Sequence, residues 1–540
     1  MMKNIFIKSG FFLLFTSFLL IGCTGKFEEI NTSPLSPEPS MVDPKFVLTL
    51  TINSSKLNTT EYQNCQLLVG DVYAQFYAND IGVRYNNYDQ SIDGISTLWS
   101  SVYTHLNSLN TIIRNYDEHP EHTNVMQMAR IWRTWTILRA TDIWGDIPYL
   151  TSCDGSGEPA VYDAQKDVYD DLFKTLAYAI ANFDSNQNNP RTQDLLYDGD
   201  NAGWIRFANS LRLRMAMRIS HVDPARAKSE AEAAIAGGLI SSPAQKAAIK
   251  CSSSSGSAGW HPFSYIFDQG GFGLSLTMEN ILTGFGGQPW PSSVVATEHP
   301  DIADPRASVM FDPSPVTGRW VGTRPGLITV PAENNTNNIA RIGKYVHLDR
   351  PRGFNILKYS EVCFLLAEAK VRFPSWNTGP GTAEDWYYAG IKDNMAEWSI
   401  SEDVVNAYLA DVTPNVNGTT VPYTNTSGEN NTILDKIITQ KWLAFFPEGG
   451  WEAWADHRRL QIPKFIPFQN VNTQWFTGFY DYSLDVPQNY IRRCAYPNSE
   501  QRLNLANLDA ALAPLGGEYE GYVRKPMWWD PYDESGNMRY

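Results

Sequence analysis

Hydrolysis of a glycosidic bond needs only two carboxyl groups roughly 5 to 10 Å apart, and this chain offers 58 acidic side chains. Asp80, Asp198 and Asp200 are the first candidates because they stand beside turns. Asp198 and Asp200, however, directly precede a helical run beginning near Trp204. There the ordinary work of an aspartate is to accept hydrogen bonds from the first free amides of the helix. No Gly-x-Ser-x-Gly elbow, His-Glu-x-x-His pair or phosphate loop occurs in the sequence. The eight histidines are scattered, and the closest pair, His119 and His122, is split by Pro120, which breaks a shared helical face. Solvated loop histidines are the expected reading. The expectation is no catalytic residue, no metal and no cofactor. Arg206, Arg212, Arg214 and Arg218 could mimic a polyanion site, but at helical spacing they spread over more than one face. Pairing with the excess of acids is the expected role for them, and for Asp456, Arg458 and Arg459.

One cysteine carries a different chemistry. Lys3 and Lys8 precede an apolar run from Phe11 to Ile21, broken only by Thr16 and Ser17, which ends in Leu20-Ile21-Gly22-Cys23. The run has the length of a signal-peptide core and is too short to span a bilayer. A small residue directly before a thiol is the pattern of a lipobox, so residues 1–22 are expected to be removed and Cys23 to be lipidated. Residues 23–44, with Pro34, Pro37, Pro39 and Pro44, are expected to form an extended tether. The other cysteines, Cys65, Cys153, Cys251, Cys363 and Cys494, are odd in number and contain no Cys-x-x-Cys pair, so neither a zinc site nor a disulfide framework is indicated.

The formal charge of -15 becomes -17 once Lys3 and Lys8 leave with the leader. An acidic body lacks the Lys/Arg surface that nucleic acid or anionic lipid headgroups require.

Helical spacing dominates from about residue 45 to 240. Ile131, Trp135 and Leu138 recur at that period, as do Trp204, Ala208, Leu211 and Met215. Further helices are expected at about 357–373 and 433–446, the latter stopping at Pro447-Glu448-Gly449-Gly450. Ala179-x-x-x-Phe183 and Ala369-x-x-x-Phe373 each match a fragment of the tetratricopeptide pattern. The character changes between about 250 and 345, where Gly, Pro and Ser punctuate a tract of large rings. A second loop tract, Asn415 to Thr432, is rich in Asn, Thr and Gly. The fold expected is mainly α, with helical hairpins framing an irregular loop-rich portion that contains short strands, and residues 45–540 forming one domain.

The ordered set of landmarks resembles the SusD/RagB-like family, in its SusD-like branch. These are Trp99-x-x-x-Tyr103-x-x-x-Asn107, Asp142-Ile143-Trp144-Gly145-Asp146-Ile147-Pro148-Tyr149 and Tyr197-Asp198-Gly199-Asp200 with the following run from Trp204 to Arg214. Asp304-Pro305-Arg306, the run from Leu357 to Ala369, Trp451-Glu452-Ala453-Trp454, Asp456 with Arg458 and Arg459, and Tyr496-Pro497 with Glu500 and Asn504 complete it. Lys26-Phe27-Glu28-Glu29 is similar to the acidic export signal of surface lipoproteins in such systems. The resemblance implies tetratricopeptide-like hairpins, a lipid-anchored position at the outer membrane facing outward, and a SusC-like TonB-dependent transporter as partner. It implies a captured oligosaccharide or, as an alternative, a peptide; a surface glycoside hydrolase is the more distant reading. The tract from 250 to 300 matches the family only in general character.

Flat indole and phenol rings suit the C–H face of a pyranose, and forked polar side chains suit its hydroxyls. The candidate ligand residues are therefore Trp260, Tyr265, Trp290, Trp320 and Arg324, with Tyr85 and Tyr88 as a second group.

Overall fold

The structure, a computed structural model, describes residues 42–79, 92–187, 189, 191–254, 259–266, 272–282, 304–316, 318, 320–323, 339–343, 346, 351–466, 491–517, 522–533 and 537–540. Helices dominate it. α1 (Pro44–Ser54), α2 (Ile92–Asn115), α3 (Thr123–Trp144), α4 (Gln165–Ala181), α5 (Asn201–Arg218) and α6 (Pro224–Ala236) come first. α7 (Leu276–Leu282), α8 (Tyr359–Arg372), α9 (Ala383–Glu397), α10 (Glu402–Ala410), α11 (Ile433–Phe445) and α12 (Gly450–Leu460) follow. Consecutive helices pack on one another as hairpins, α2 on α3, α5 on α6 and α8 on α9. This is the expected tetratricopeptide-like frame.

Local chemistry explains where the helices begin. Asp200 caps α5 by accepting from Ala202 N–H at 2.9 Å and Gly203 N–H at 3.0 Å. Asp198 precedes it with φ +55° and pairs with Lys250. Thr382 with Asp385, and Thr432 with Asp435, form reciprocal capping boxes at α9 and α11. Trp132, Trp144, Trp204, Trp442, Trp454 and Trp529 are all fully buried, so much of the aromatic richness is frame.

A charge network runs through this core. The Arg214 side chain donates to Glu361 at 2.7 Å, and Arg218 donates to Asp142 at 2.9 Å and Glu452 at 2.5 Å. Arg459 bridges Glu368 and Asp456, while Lys441 holds the second Asp456 oxygen at 2.7 Å. On the outer side Arg206 pairs with Asp200 and Arg212 with Glu230. The arginine series is thus intramolecular, as its spacing suggests. Arg458 departs from that pattern: it lies 3.6 Å over the Trp454 ring and donates to the carbonyls of Asp142 and Arg492, both at 2.8 Å.

The histidines also depart from expectation. His105, His261 and His457 are buried rather than solvated, and burial pushes His105 down to about 4 and His457 down to about 3. His105 and His457 are thereby neutral polar members of the core. His119 and His122 are brought to 6.3 Å between ring centres by the tight turn Pro120–His122, beside Tyr116. Cys65, Cys153, Cys251, Cys363 and Cys494 are free thiols.

Strands are few and short. β1 (Tyr77–Asn79), β5 (Phe272–Leu274), β7 (Arg341–Ile342) and β6 (Phe311–Asp312) form one antiparallel sheet in that order. β2 (Ile147–Pro148) pairs with β3 (Tyr162–Asp163), and β4 (Ala247–Ile249) with β8 (Phe354–Leu357).

Candidate ligand-binding site

The four-stranded sheet is where the loop-rich tract meets the frame. Tyr77 pairs with Leu274, and Asn79 with Phe272, so β1 leads out of the sheet towards Tyr85 and Tyr88. Ser275 forms a parallel bridge with Thr323, immediately before Arg324, and α7 starts at the next residue and leads towards Trp290. The departure points at Asn79 and Thr323 are three residues apart along β5 and its extension, about 10 Å at the rise of a strand. Gly322 permits this approach, since a Cβ there would lie 2.4 Å from the Ser275 carbonyl oxygen. The described ends of these stretches meet at one small sheet; Tyr85, Tyr88, Trp290 and Arg324, like Cys23, lie outside the described residues.

Of the other candidates, Trp260 is partly buried, and its indole N–H donates to the Ser253 carbonyl at 3.4 Å. Tyr265 stands on the short helix Phe263–Ile266, with its side chain outside the described residues. Trp320 is partly buried against the core, and its N–H donates to the Phe311 carbonyl at 3.3 Å. Both tryptophans flank an aromatic cluster around the buried Tyr77, whose ring lies 6.0 Å from Phe263, 6.3 Å from Phe311 and 5.5 Å from Phe446.

Polar groups fix the sheet from behind. Gln75, in the left-handed region at φ +55°, accepts at its carbonyl from Ser275 and at Oε1 from Thr277. The same side chain bonds Ile466 in both directions, at 2.7 and 3.0 Å. Beside it Glu448 accepts from Asn355 N–H at 3.3 Å and lies 3.4 Å from Arg352 and 3.6 Å from His261. Burial alone would push the Glu448 carboxyl up, but Arg352 and His261 hold it well below the usual range. Burial pushes the carboxyls of Asp71 and Glu279 well above the usual range. Asp71 accepts from Gln66 at 2.6 Å, and Glu279 from Gly322 N–H at 2.7 Å. Sequence reading missed Gln75, Thr277, Arg352 and Glu448. The only signal was the Pro-Glu-Gly-Gly string, which reads as a helix stop.

Among the described residues no helix is long and apolar enough to cross a membrane, and no three His, Cys, Asp or Glu side chains are placed to share a metal ion. A frame of tetratricopeptide-like hairpins carrying one loop-bearing sheet is the architecture of SusD homologues. A family model described as "SusD-like: Susd and RagB outer membrane lipoprotein" matches residues 44–530, and the chain belongs to that family. A SusD homologue from Parabacteroides distasonis is similar in structure, with 28% identity and a TM-score of 0.81 over 92% of this chain and 100% of that one. A chitin-binding SusD homologue from Flavobacterium johnsoniae shares 27% identity, with a TM-score of 0.74 over 90% of this chain and 98% of that one. A SusD homologue from Bacteroides vulgatus, at 23% identity and TM-score 0.76 over 91% and 98% of the two chains, shows the same fold. No curated protein matches this chain.

Proposed function

We propose that the protein is a cell-surface glycan-binding lipoprotein, anchored to the outer membrane through Cys23, that delivers oligosaccharide to a SusC-like TonB-dependent transporter. The observation that carries the glycan reading is the likeness, over nine-tenths of the chain, to a SusD homologue that binds chitin. The sheet supports it: stretches that carry candidate residues in sequence depart from strands of one scaffold, and flat rings with forked polar groups suit the two sides of a sugar ring. The role is capture rather than bond cleavage. Asp198 and Asp200, two of the acids a hydrolase reading would use, are committed to Lys250 and to the cap of α5.

The direct test is a binding panel on the lipid-free protein: N-acetylglucosamine oligomers, α- and β-glucans, xylan and a mixed peptide pool, read by titration calorimetry. Saturable binding to one glycan class is expected. Binding to peptides with no glycan binding would replace this reading by peptide import. Cys23→Ala should move the protein out of the membrane fraction without lowering its melting temperature. Mild detergent extraction of the native protein should bring down a large β-barrel.

A further inference from the structure

The tract of Asn, Thr and Gly between α10 and α11 takes no part in the site described above, yet it is built with unusual care. Lys436, fully buried on the first turns of α11, donates to the Thr420 carbonyl at 2.6 Å, to the Thr420 hydroxyl at 2.7 Å and to Asn431 Oδ1 at 2.7 Å. The Asn431 amide in turn donates to the carbonyls of Asn425 and Ser427 at 3.1 and 2.8 Å. Residues 411–432 are therefore folded around a buried ammonium that makes no ion pair among the described residues. Burying a cation without a carboxylate costs free energy. What the arrangement gains is a loop fixed in one conformation before any ligand arrives, which is how binding sites avoid the entropy of ordering.

That loop is tied to the candidate site at two points. Val416 N–H donates to the Asn280 carbonyl of α7 at 3.1 Å. On the other side Lys464, two residues before the Ile466 that Gln75 holds, completes the wall of a groove of about 570 Å³. The groove is lined in part by aliphatic side chains, with Val412 63% and Val416 37% exposed. Its lining also holds Asn417, Asn430 and the exposed Ser427. Its lining carries one cation, Lys464, and one anion, Glu429, so it selects for neither sign of charge.

We propose that this groove is an accessory subsite for further units of the same neutral polyhydroxylated chain that the sheet binds. The proposal rests on the glycan reading. A lining that combines exposed valines with amide and hydroxyl groups suits the C–H face and the hydroxyls of a sugar ring. A docked protein segment would require a much larger continuous surface.

The test uses the full lipid-free protein and a dimer, a tetramer and an octamer of the glycan that the binding panel selects, N-acetylglucosamine oligomers being the first tried. Wild-type affinity should rise with length. Ser427→Trp fills the groove from an exposed position without disturbing the bonds to Lys436. It should leave the dimer unaffected and weaken the octamer roughly five- to tenfold, the worth of one or two lost hydrogen bonds. Asn417→Ala should do the same about two- to fivefold. Two variants that bind the octamer as the wild type does would overturn the proposal, and so would equal losses for dimer and octamer. Weaker recovery of a β-barrel partner with unchanged glycan affinity would make the groove a protein interface instead. A wild type that binds no oligosaccharide fails at the earlier reading and takes this proposal with it.

Discussion

The helical frame and the sheet side of the molecule differ in how some of their buried carboxyl groups are held. In the frame several are matched with cations: Glu361 with Arg214, Asp142 with Arg218, and Glu368 and Asp456 with Arg459. Burial opposes the charge of Glu368, but Arg459 and Arg372 prevail and hold it down at about 2. At the sheet, Asp71 accepts from Gln66 and Glu279 from Gly322 N–H, and burial drives both towards the neutral form. The frame therefore depends on charge pairing between helices far apart in sequence, whereas Gln75, Ser275 and Thr277 join the sheet through neutral hydrogen bonds, with Glu448 and Arg352 as the charged pair on that side. Buried pairs add little net stability over an apolar core, but halving one leaves a charge stranded.

The largest effect that sharpens this contrast is expected from Glu368→Ala. It removes one of the two carboxylates that hold Arg459 and the partner of Arg372, and should cost about 3 kcal/mol of unfolding free energy, measured by chemical denaturation. A loss below about 1 kcal/mol would mean that the frame does not rely on its ion pairs.

The pH dependence contributed by Glu368 and that contributed by Asp71 and Glu279 have opposite sign. Glu368 is depressed on folding, so its stabilisation is complete above the ordinary glutamate value of 4.5 and is lost as pH falls towards about 2. Asp71 and Glu279 are raised on folding, so their contribution is complete below their ordinary values of 3.8 and 4.5 and is lost as pH rises through the folded values. Asp71→Asn should accordingly leave stability at pH 7 within about 1 kcal/mol and flatten the alkaline side of a stability profile, while Asp456→Asn should cost about 3 kcal/mol. Equal losses in the two variants would erase the distinction.

Smaller effects are expected from the rings. Trp260→Ala should weaken glycan binding several-fold, about 1 kcal/mol, with little change in melting temperature. Trp320→Ala should lower both, because that ring also packs on the core. Unchanged affinity in both variants would move the stacking surface elsewhere.

Much of the frame was legible in the sequence. The helices expected at 357–373 and 433–446 are Tyr359–Arg372 and Ile433–Phe445, and Asp200 caps as its position suggests. The family landmarks prove to be the frame's own fastenings. Asp304 and Arg306 form a buried pair that also engages Tyr408 and Gln440. Glu500 accepts from Tyr162, and Asn504 donates to the Ala160 carbonyl. These residues identify the fold and say little about the ligand. The sheet was not legible because its strands span two or three residues, too few to show a period of two, and because its pairings are non-local. Gln75 and Ile466 are 391 positions apart. The buried histidines were misjudged for a related reason: neither their spacing nor their neighbours in sequence distinguish a core imidazole from a loop one.

The account's central claim is that a charge-paired frame holds a separate binding side made of the sheet and the 411–432 loop. Hydrogen exchange of the lipid-free protein, with and without the best-bound oligosaccharide, tests it most directly. Ligand should slow exchange in β1, β5, α7 and residues 411–432 while leaving α3, α4 and α5 unchanged. Protection confined to α3, α4 and α5, with none at the sheet, would contradict it.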